Sequence, residues 1–173
     1  ITAESEGRGL GTRVRVRLAG EDGTPGAAGE RILNGTDVIL ATGSRVKSLP
    51  GLVPDGRRIV TSDDVLRMDS MPASVIVVGA GAVGVEFASL FAAFGAQVEV
   101  IEMLPEIVPF MDDELAARLR KALKDVTFRL GCKVTGIEGG TVVYETAKGE
   151  TARAEADLVL MAVGRRPLTD GWG

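Results

Sequence analysis

The fold is decided by residues 75–102, which read VIVVGAGAVGVEFASLFAAFGAQVEVIE. The first four residues are apolar and β-branched, a pattern typical of a strand that is covered on both faces, as in parallel sheets. Residues 82–94 have the composition of a helix that Gly95 is suited to end, and residues 97–101 return to a pattern typical of a strand. The stretch therefore predicts a strand, a helix and a second parallel strand in succession.

Gly79, Gly81 and Gly84 lie in the turn between the first strand and the helix. In a Gly-x-Gly-x-x-Gly pattern the first glycine makes a tight turn, the second lets a pyrophosphate approach the backbone, and the third lets the helix pack on the strand. The amino terminus of the helix also directs unpaired N–H groups and a partial positive charge toward an anion. The pattern predicts a dinucleotide site. The alternative is that the three glycines serve close packing alone.

Glu102 ends the second strand, 23 residues after Gly79. A carboxylate at this point can accept hydrogen bonds from both hydroxyls of an adenosine ribose, and it repels a 2′-phosphate. Residues 103–110 contain no arginine or lysine that could bind such a phosphate. These features favour NAD over NADP. The alternative for Glu102 is a solvated charge at the end of a strand.

The sequence after residue 110 predicts a further helix and more strands. Asp112 and Asp113 suit the start of a helix whose leucines Leu115, Leu119 and Leu123 share one face. This helix is predicted to end at residue 124, and strands are predicted at 126–130, 133–138, 141–146, 151–156 and 157–163. The three middle strands are short and joined by glycine-containing turns, so they predict an antiparallel meander that covers the parallel sheet.

The first part of the chain has a different pattern. Val14, Val16 and Leu18 alternate with arginines, which predicts a strand at 12–18 with one solvent-exposed face. Glycines, prolines and apolar runs predict a loop at 21–30, a turn at Asn34-Gly35, a strand at 37–41, and a helix near 62–68 capped by Thr61 or Ser62. The whole chain therefore predicts an α/β protein with a Rossmann-like parallel sheet, helices and a covering antiparallel β-meander, preceded by a β-rich segment.

The composition excludes several kinds of chemistry. Lysine and arginine number 20 against 24 aspartate and glutamate, and the net charge of −4 without a basic stretch argues against a nucleic-acid partner. Histidine is absent and Cys132 is the only cysteine, so the sequence predicts no metal site, no disulfide and no catalytic residue of its own. A lone cysteine without a partner is interpreted as a small core or surface residue rather than a reactive thiol.

The apolar run at 75–85 does not predict a membrane span, because its glycines suit a turn and Glu86 interrupts it. The sequence starts at Ile1 and shows no secretory signal. We therefore expect an internal piece of a longer cytoplasmic polypeptide.

Three blocks resemble the flavin-dependent pyridine nucleotide-disulfide oxidoreductases, and most of all their dihydrolipoamide dehydrogenase branch. They are VILATGS at 38–44, the stretch from 75 to 115, and LVLMAVGRRPLT at 158–169. The resemblance covers nearly the whole chain and implies FAD and NAD as cofactors and a homodimer for the parent enzyme. It divides the chain into part of an FAD domain (1–44), a connector with a short helix (45–72), an NAD-binding domain (73–164) and a segment that returns to the FAD domain (165–173).

The resemblance also implies contacts for individual residues. It places Gly79, Gly81, Val83 and Gly84 at the diphosphate of NAD, Glu102 at the ribose, Met103 and Val134 at the adenine, Gly164 and Glu86 near the nicotinamide, and Thr42, Gly43 and Ser44 at FAD. Ala82, within the same loop, is also counted among the cofactor-binding residues. The alternative for Glu86 is a charge in the first turn of the helix, favoured by the helix dipole. Ala82 stands where glutathione reductase and other members carry tyrosine.

The sequence contains no amino-terminal flavin fingerprint, no redox-active cysteine pair and no interface domain with a catalytic histidine. The resemblance therefore implies that the chain binds NAD(H), is inactive alone, and belongs to a parent that oxidises dihydrolipoamide through FAD. Two alternatives stay open. One is a sister enzyme such as mercuric reductase, NADH oxidase or a glutathione reductase-like protein, and the other is a stand-alone NAD-binding module without catalysis.

Overall fold

The computed structural model describes residues 2–5, 12–19, 25–35, 37, 39, 41–138 and 140–169. The chain divides into two compact units, one of Ile1–Arg45 with Pro167–Gly173 and the other of Val46–Arg166. The assignment of these units to a flavin domain and a nucleotide domain stays a prediction.

The first unit contains a three-stranded antiparallel sheet. Its strands are β1 (Thr2–Ser5), β2 (Thr12–Ala19) and β3 (Pro25–Gly35), in that order across the sheet. The predicted strand at 12–18 is confirmed, and it pairs with β1 and β3 in antiparallel fashion. Two predictions are wrong, because residues 25–30 of the expected loop and the expected turn at 34–35 lie in β3. Pairing with β2 outweighs the low strand propensity of the glycines and proline. Residues 21–24 lie outside the described residues.

The strand predicted at 37–41 is also wrong, since the described residues Asp37, Ile39 and Ala41 are not in a strand, while 38 and 40 lie outside the description. The next strand is β4 (Ser44–Val46). Beside it, the Thr42 hydroxyl donates a hydrogen bond to the Leu168 carbonyl at 2.6 Å, and the Leu168 N–H donates to the Gly43 carbonyl at 3.0 Å. The segment around residue 42 is therefore joined to the carboxyl-terminal part of the same unit.

From residue 59 onward, helices and parallel strands alternate before a meander. The elements are β5 (Ile59–Thr61), α1 (Ser62–Val65), β6 (Ser74–Val78), α2 (Ala82–Ala93), β7 (Gln97–Ile101), α3 (Asp113–Ala122), β8 (Val126–Arg129), β9 (Lys133–Glu138), β10 (Thr141–Glu145), β11 (Thr151–Glu155), β12 (Leu158–Met161) and β13 (Arg165–Pro167). Five of these strands form one parallel sheet in the order β5-β12-β6-β7-β8. The predicted Rossmann-like sheet is confirmed, and β5 is a strand that the sequence did not predict.

The parallel sheet is covered on both faces, which explains its uninterrupted apolar strands. Val75 and Val77 of β6 pack with α2 residues such as Ala88 on one face. Ile76 and Val78, which alternate with them, pack on the other face against the antiparallel sheet of β9, β10 and β11. The predicted covering meander is therefore confirmed.

The second face of the sheet also buries the only cysteine. Cys132 is 6% exposed and belongs to the same cluster as Val142 and Tyr144 of β10. The interpretation of Cys132 as a small packed residue is in agreement with this position.

Helix α3 starts as predicted, because the Asp112 carboxylate accepts hydrogen bonds from the N–H groups of the first turn. The predicted apolar face is partly wrong. Leu119 and Leu123 pack against the core, but Leu115 is 55% exposed. Ala116 is buried in its place, since positions 116, 119 and 123 form the helical stripe that faces the sheet.

Helix α1 is held by a reciprocal cap at its amino terminus. Thr61 is the cap residue, and its hydroxyl accepts a hydrogen bond from the Asp64 N–H. The Asp64 carboxylate accepts in return from the Thr61 hydroxyl at 2.7 Å and the Thr61 N–H at 2.8 Å. These hydrogen bonds, first that from the hydroxyl, hold the pKa of the Asp64 carboxyl below its ordinary value.

Asp64→Asn should lower the free energy of unfolding by about 1 kcal/mol at neutral pH. Because the pKa of Asp64 is lowered by folding, this stabilisation is fully present above the pKa of an aspartate in the unfolded chain, about 4. It is lost as the pH falls through the pKa of Asp64 in the folded protein. Urea unfolding of both proteins at several pH values measures the difference. Asp69→Asn is the matched control, because Asp69 is exposed and makes no hydrogen bond within the described part of the chain. A difference between wild type and Asp64→Asn that did not shrink in acid would contradict the assignment.

Candidate functional site

The turn after β6 depends on a glycine at position 79. Gly79 has a φ of +100°, which side chains disfavour, and a Cβ there would lie 2.6 Å from the carbonyl oxygen of Ala162. Its N–H donates a hydrogen bond to the Ile101 carbonyl at 2.9 Å. Gly79 therefore lets the turn pass directly between the ends of β12 and β7.

Gly84 serves packing within the same turn. It is buried in the first turn of α2, and a Cβ at this position would overlap the carbonyl oxygen of Gly79 and approach the Cβ of Ala162 at 3.4 Å. The helix can therefore start this close to the sheet only with glycine at position 84.

Gly81 differs from both of its neighbours in the motif. It is the cap residue of α2, it has an ordinary φ of −69°, and a Cβ built on it would have no atom within 4 Å. No side chain among the described residues caps the helix, and the first N–H groups of a helix have no partner within it. The amino terminus of α2 therefore faces open space with unpaired donors.

The Glu102 carboxylate is hydrogen-bonded directly to this turn. Its side chain is buried, at 9% exposure, and one carboxylate oxygen accepts a hydrogen bond from the Ala80 N–H at 2.6 Å. The other oxygen accepts from the Leu104 N–H at 2.8 Å. The alternative of a solvated charge is therefore wrong, because Glu102 fixes the glycine turn to the segment that follows β7.

A cavity of about 1070 Å³ opens at the carboxyl ends of β6, β7 and β12. This volume is slightly above the usual range for small-molecule sites, about 300–1,000 Å³. Most of its wall is apolar, and the charged side chains in it are Glu102, Lys133 and Arg165. Arg165 also donates hydrogen bonds to Ser62 and Asp63. The cavity lies entirely within Val46–Arg166.

Most of the residues predicted to contact NAD line this cavity. They are Gly79, Gly81, Ala82, Val83, Glu102, Met103, Val134 and Gly164. Gly84 lies beneath the turn instead, and Glu86 is exposed on α2 and is not part of the cavity wall. The helix-dipole interpretation of Glu86 is wrong, because the first turn of α2 consists of residues 82–85. Thr42, Gly43 and Ser44 belong to the first unit.

Much of the cavity wall was not predicted from the sequence. The missed residues include Leu49, Pro50, Leu52, Leu104, Val108, Pro109, Phe110, Met111, Lys133, Thr135 and Arg165. Those at 49–52 come from the expected connector, and those at 108–111 from the loop before α3. The signal that could have revealed the second group is the concentration of large apolar side chains in a loop between two charged segments.

The loop at 106–111 is fixed although it has no regular structure. The Val108 N–H donates to the Ala80 carbonyl at 2.7 Å, and Ile107 is fully buried. Glu106 forms a two-point ion pair with Arg120 of α3, with N–O distances of 2.8 and 3.0 Å. These hydrogen bonds hold the pKa of the Glu106 carboxyl below its ordinary value. The loop is therefore tied to both the glycine turn and α3.

The residues around the turn fit a dinucleotide. The unpaired N–H groups and the open space at Gly81 suit a diphosphate. Glu102 retains acceptor capacity, because a carboxylate has about four lone-pair sites and two are used by N–H groups. The apolar wall suits an aromatic base.

Among the described residues, no helix combines the length and apolar character that crossing a membrane requires. The same residues bring no three histidine, cysteine, aspartate or glutamate side chains together in a group that could hold a metal ion.

The parallel sheet, its covering layers and the glycine turn define a Rossmann-like α/β protein whose fold is similar to that of flavoprotein disulfide reductases. The chain belongs to the pyridine nucleotide-disulphide oxidoreductase family, whose sequence model matches residues 12–172.

Known proteins similar to the chain include enzymes from bacteria and plants. Dihydrolipoyl dehydrogenase 3 of Pseudomonas putida is 41% identical over 164 residues, covering 91% of this chain and 34% of that protein. The mitochondrial dihydrolipoyl dehydrogenase of Pisum sativum is 38% identical over 147 residues, covering 81% and 29%. The chain thus spans about a third of the length of the curated relatives it matches.

Two solved structures have a similar fold. The crystal structure of LpdA from Mycobacterium tuberculosis superposes with a TM-score of 0.75 at 27% identity, covering 99% of this chain and 37% of that one. The HOCl-induced flavoprotein disulfide reductase RclA from Escherichia coli gives a TM-score of 0.65 at 27% identity, covering 83% and 33%.

Gly84→Ala and Gly81→Ala should affect stability very differently. At position 84 a methyl group would overlap the Gly79 carbonyl, and the energetic cost of this overlap exceeds the gain of about 1 kcal/mol in helix propensity. We therefore expect the free energy of unfolding to fall by about 3 kcal/mol. At position 81 the open space and ordinary φ should keep the change within about 1 kcal/mol. Urea unfolding of the two variants measures both values, and equal losses would show that the turn is not packed as described.

Proposed function

We propose that the chain binds NAD(H) at the turn formed by residues 79–84, as the nucleotide-binding part of a dihydrolipoyl dehydrogenase. The observation that carries this proposal is the open space at Gly81. Close packing accounts for Gly79 and Gly84, whose Cβ atoms would collide with neighbouring backbone, but it gives no reason for glycine at 81. A diphosphate that must approach the main chain gives that reason.

The adenosine end of the coenzyme is assigned to Glu102 and the residues near it. The remaining lone pairs of the Glu102 carboxylate can accept from the ribose hydroxyls while the Ala80 and Leu104 N–H groups hold the carboxylate in place. Met103 and Val134 line the same cavity and offer apolar surface to the adenine. The carboxylate would repel a 2′-phosphate, which supports NAD over NADP.

The nicotinamide end is assigned to the part of the cavity at Gly164. The Gly164 carbonyl accepts a hydrogen bond from the Lys47 N–H at 2.9 Å, which fixes the backbone at this end of the cavity. The chemistry supplied by the coenzyme when bound is hydride exchange at its nicotinamide ring. The residues of this chain bind and orient it, and a role for Glu86 near that ring stays a prediction.

The parent enzyme is inferred from the relatives named dihydrolipoyl dehydrogenase. In this proposal FAD contacts Thr42, Gly43 and Ser44, residues 1–44 and 165–173 belong to its domain, residues 73–164 form the NAD domain, and the whole enzyme is a homodimer. The chain alone lacks a cysteine pair and histidine, so we expect no dihydrolipoamide oxidation by it. A sister enzyme of the family would have the same coenzyme site and a different disulfide substrate.

Titration of the chain with NADH should give saturable binding that Gly81→Ala reduces at least tenfold, because the added methyl group takes the space of the diphosphate. Calorimetry measures the affinity, and thermal unfolding checks that the variant is folded. Absence of NADH binding by the wild-type chain would refute the proposed function.

The choice between NADH and NADPH should depend on Glu102. The wild-type chain should bind NADH more tightly, whereas Glu102→Ala and still more Glu102→Arg should shift the ratio toward NADPH by removing or reversing the charge at the ribose. The ratio is the readout because loss of the hydrogen bonds to Ala80 and Leu104 lowers affinity for both nucleotides. Glu138→Ala, an exposed glutamate at the end of β9, is the control. Equal wild-type affinity for the two nucleotides would overturn the specificity argument.

A further inference from the structure

Phe110 is a fully exposed aromatic residue in the wall of an apolar cavity. We propose that its ring is a binding surface for the adenine base, a role that rests on the proposed NAD(H) function and adds a coenzyme-binding residue to it. Isolated apolar side chains on a surface need no explanation, but a fully exposed aromatic residue in the wall of a cavity of this size offers contact area to a ligand that enters it.

The ring is presented by a fixed backbone. Val108 has a φ of +42°, an unfavourable conformation for a β-branched residue. Its N–H is bonded to Ala80, and its carbonyl accepts a hydrogen bond from the Met111 N–H at 2.8 Å. Ile107 anchors the preceding position in the core. Phe110 therefore projects from a tight turn whose geometry the surrounding packing enforces.

The assignment of the base to Phe110 follows from two features: the loop that carries Phe110 comes after Glu102 in the chain, and Phe110 lines the same cavity as Glu102. The diphosphate belongs at Gly81 and the nicotinamide at Gly164, while the loop that carries Phe110 follows Glu102, the residue assigned to the adenosine ribose. Met103 and Leu104, the first residues of this loop, line the same cavity with apolar side chains. A flat base that reaches beyond the ribose thus enters a region bounded by apolar side chains, where an aromatic ring can stack on it.

The test compares Phe110→Ala with Phe94→Ala. Phe94 is also an exposed phenylalanine, at 65%, but it follows α2 and does not line the cavity. Calorimetric titrations use NADH, AMP, which has the base, and nicotinamide mononucleotide, which lacks it. We expect Phe110→Ala to weaken NADH and AMP about tenfold each, as for loss of one base-stacking contact, and to leave nicotinamide mononucleotide unchanged.

Two further variants separate stacking from general damage. Phe110→Trp keeps an aromatic face and should retain affinity for AMP within about twofold, and Phe94→Ala should bind all three ligands as the wild type does. Thermal unfolding of each variant checks that the chain remains folded.

Unchanged AMP and NADH affinities in Phe110→Ala, beside normal wild-type binding, would overturn the role of Phe110 and leave the proposed function standing. The same result together with a change in sedimentation would assign the ring to an interface between copies of the chain and would likewise overturn the inference. If the wild-type chain bound neither NADH nor AMP, both the proposed function and this inference would fail.

Discussion

The arrangement of the site depends on one residue, Glu102, whose main chain and side chain hold four parts of the second unit together. Its N–H donates to the Arg129 carbonyl at 2.9 Å, and its carbonyl accepts from the Cys132 N–H at 2.8 Å. Its carboxylate accepts from the N–H groups of Ala80 and Leu104. A buried carboxylate is tolerated only when hydrogen bonds replace its hydration, and bonds to a charged acceptor are the stronger kind. The glycine turn is thereby fixed before any ligand arrives.

This arrangement bears on how the site would select the proposed coenzyme. A ribose that reaches Glu102 meets a carboxylate whose direction is already set, so little ordering is needed when it binds. The local sequence after Glu102 contains no cation, yet the fold brings Lys133 and Arg165 to the same cavity from distant segments. Arg165 is engaged by Ser62 and Asp63. A preference for NAD at this site therefore depends on the burial of the Glu102 carboxylate beside the turn, a feature that the charges in the neighbouring sequence do not reveal.

The elements that were predicted most accurately from the sequence are those that short-range patterns determine. The unit from β6 to β7 follows from a β-branched run, a glycine turn and a helical segment, all contiguous. Strand β3 was missed because its glycines and proline oppose a strand, and only pairing with β2 reverses that preference. The wall formed by residues 49–52 and 108–111 was missed because no motif marks it. These segments meet the glycine turn only through long-range contacts, such as that between Val108 and Ala80.

The position of the cavity follows from connectivity. Gly79, Glu102 and Ala162 each come directly after a strand, and those strands, β6, β7 and β12, are neighbours in the sheet. Because parallel strands end at one edge, the three residues form a row there. Strand β7, which follows β6 in the chain, lies on one side of β6 in the sheet. Strand β12, which follows the meander, lies on the other side of β6. The chain connections therefore run in opposite directions away from the boundary between β6 and β12. Such a divergence leaves a crevice in open α/β sheets. The topology therefore determines where a ligand can enter, and the side chains of the surrounding loops determine which ligand is accepted.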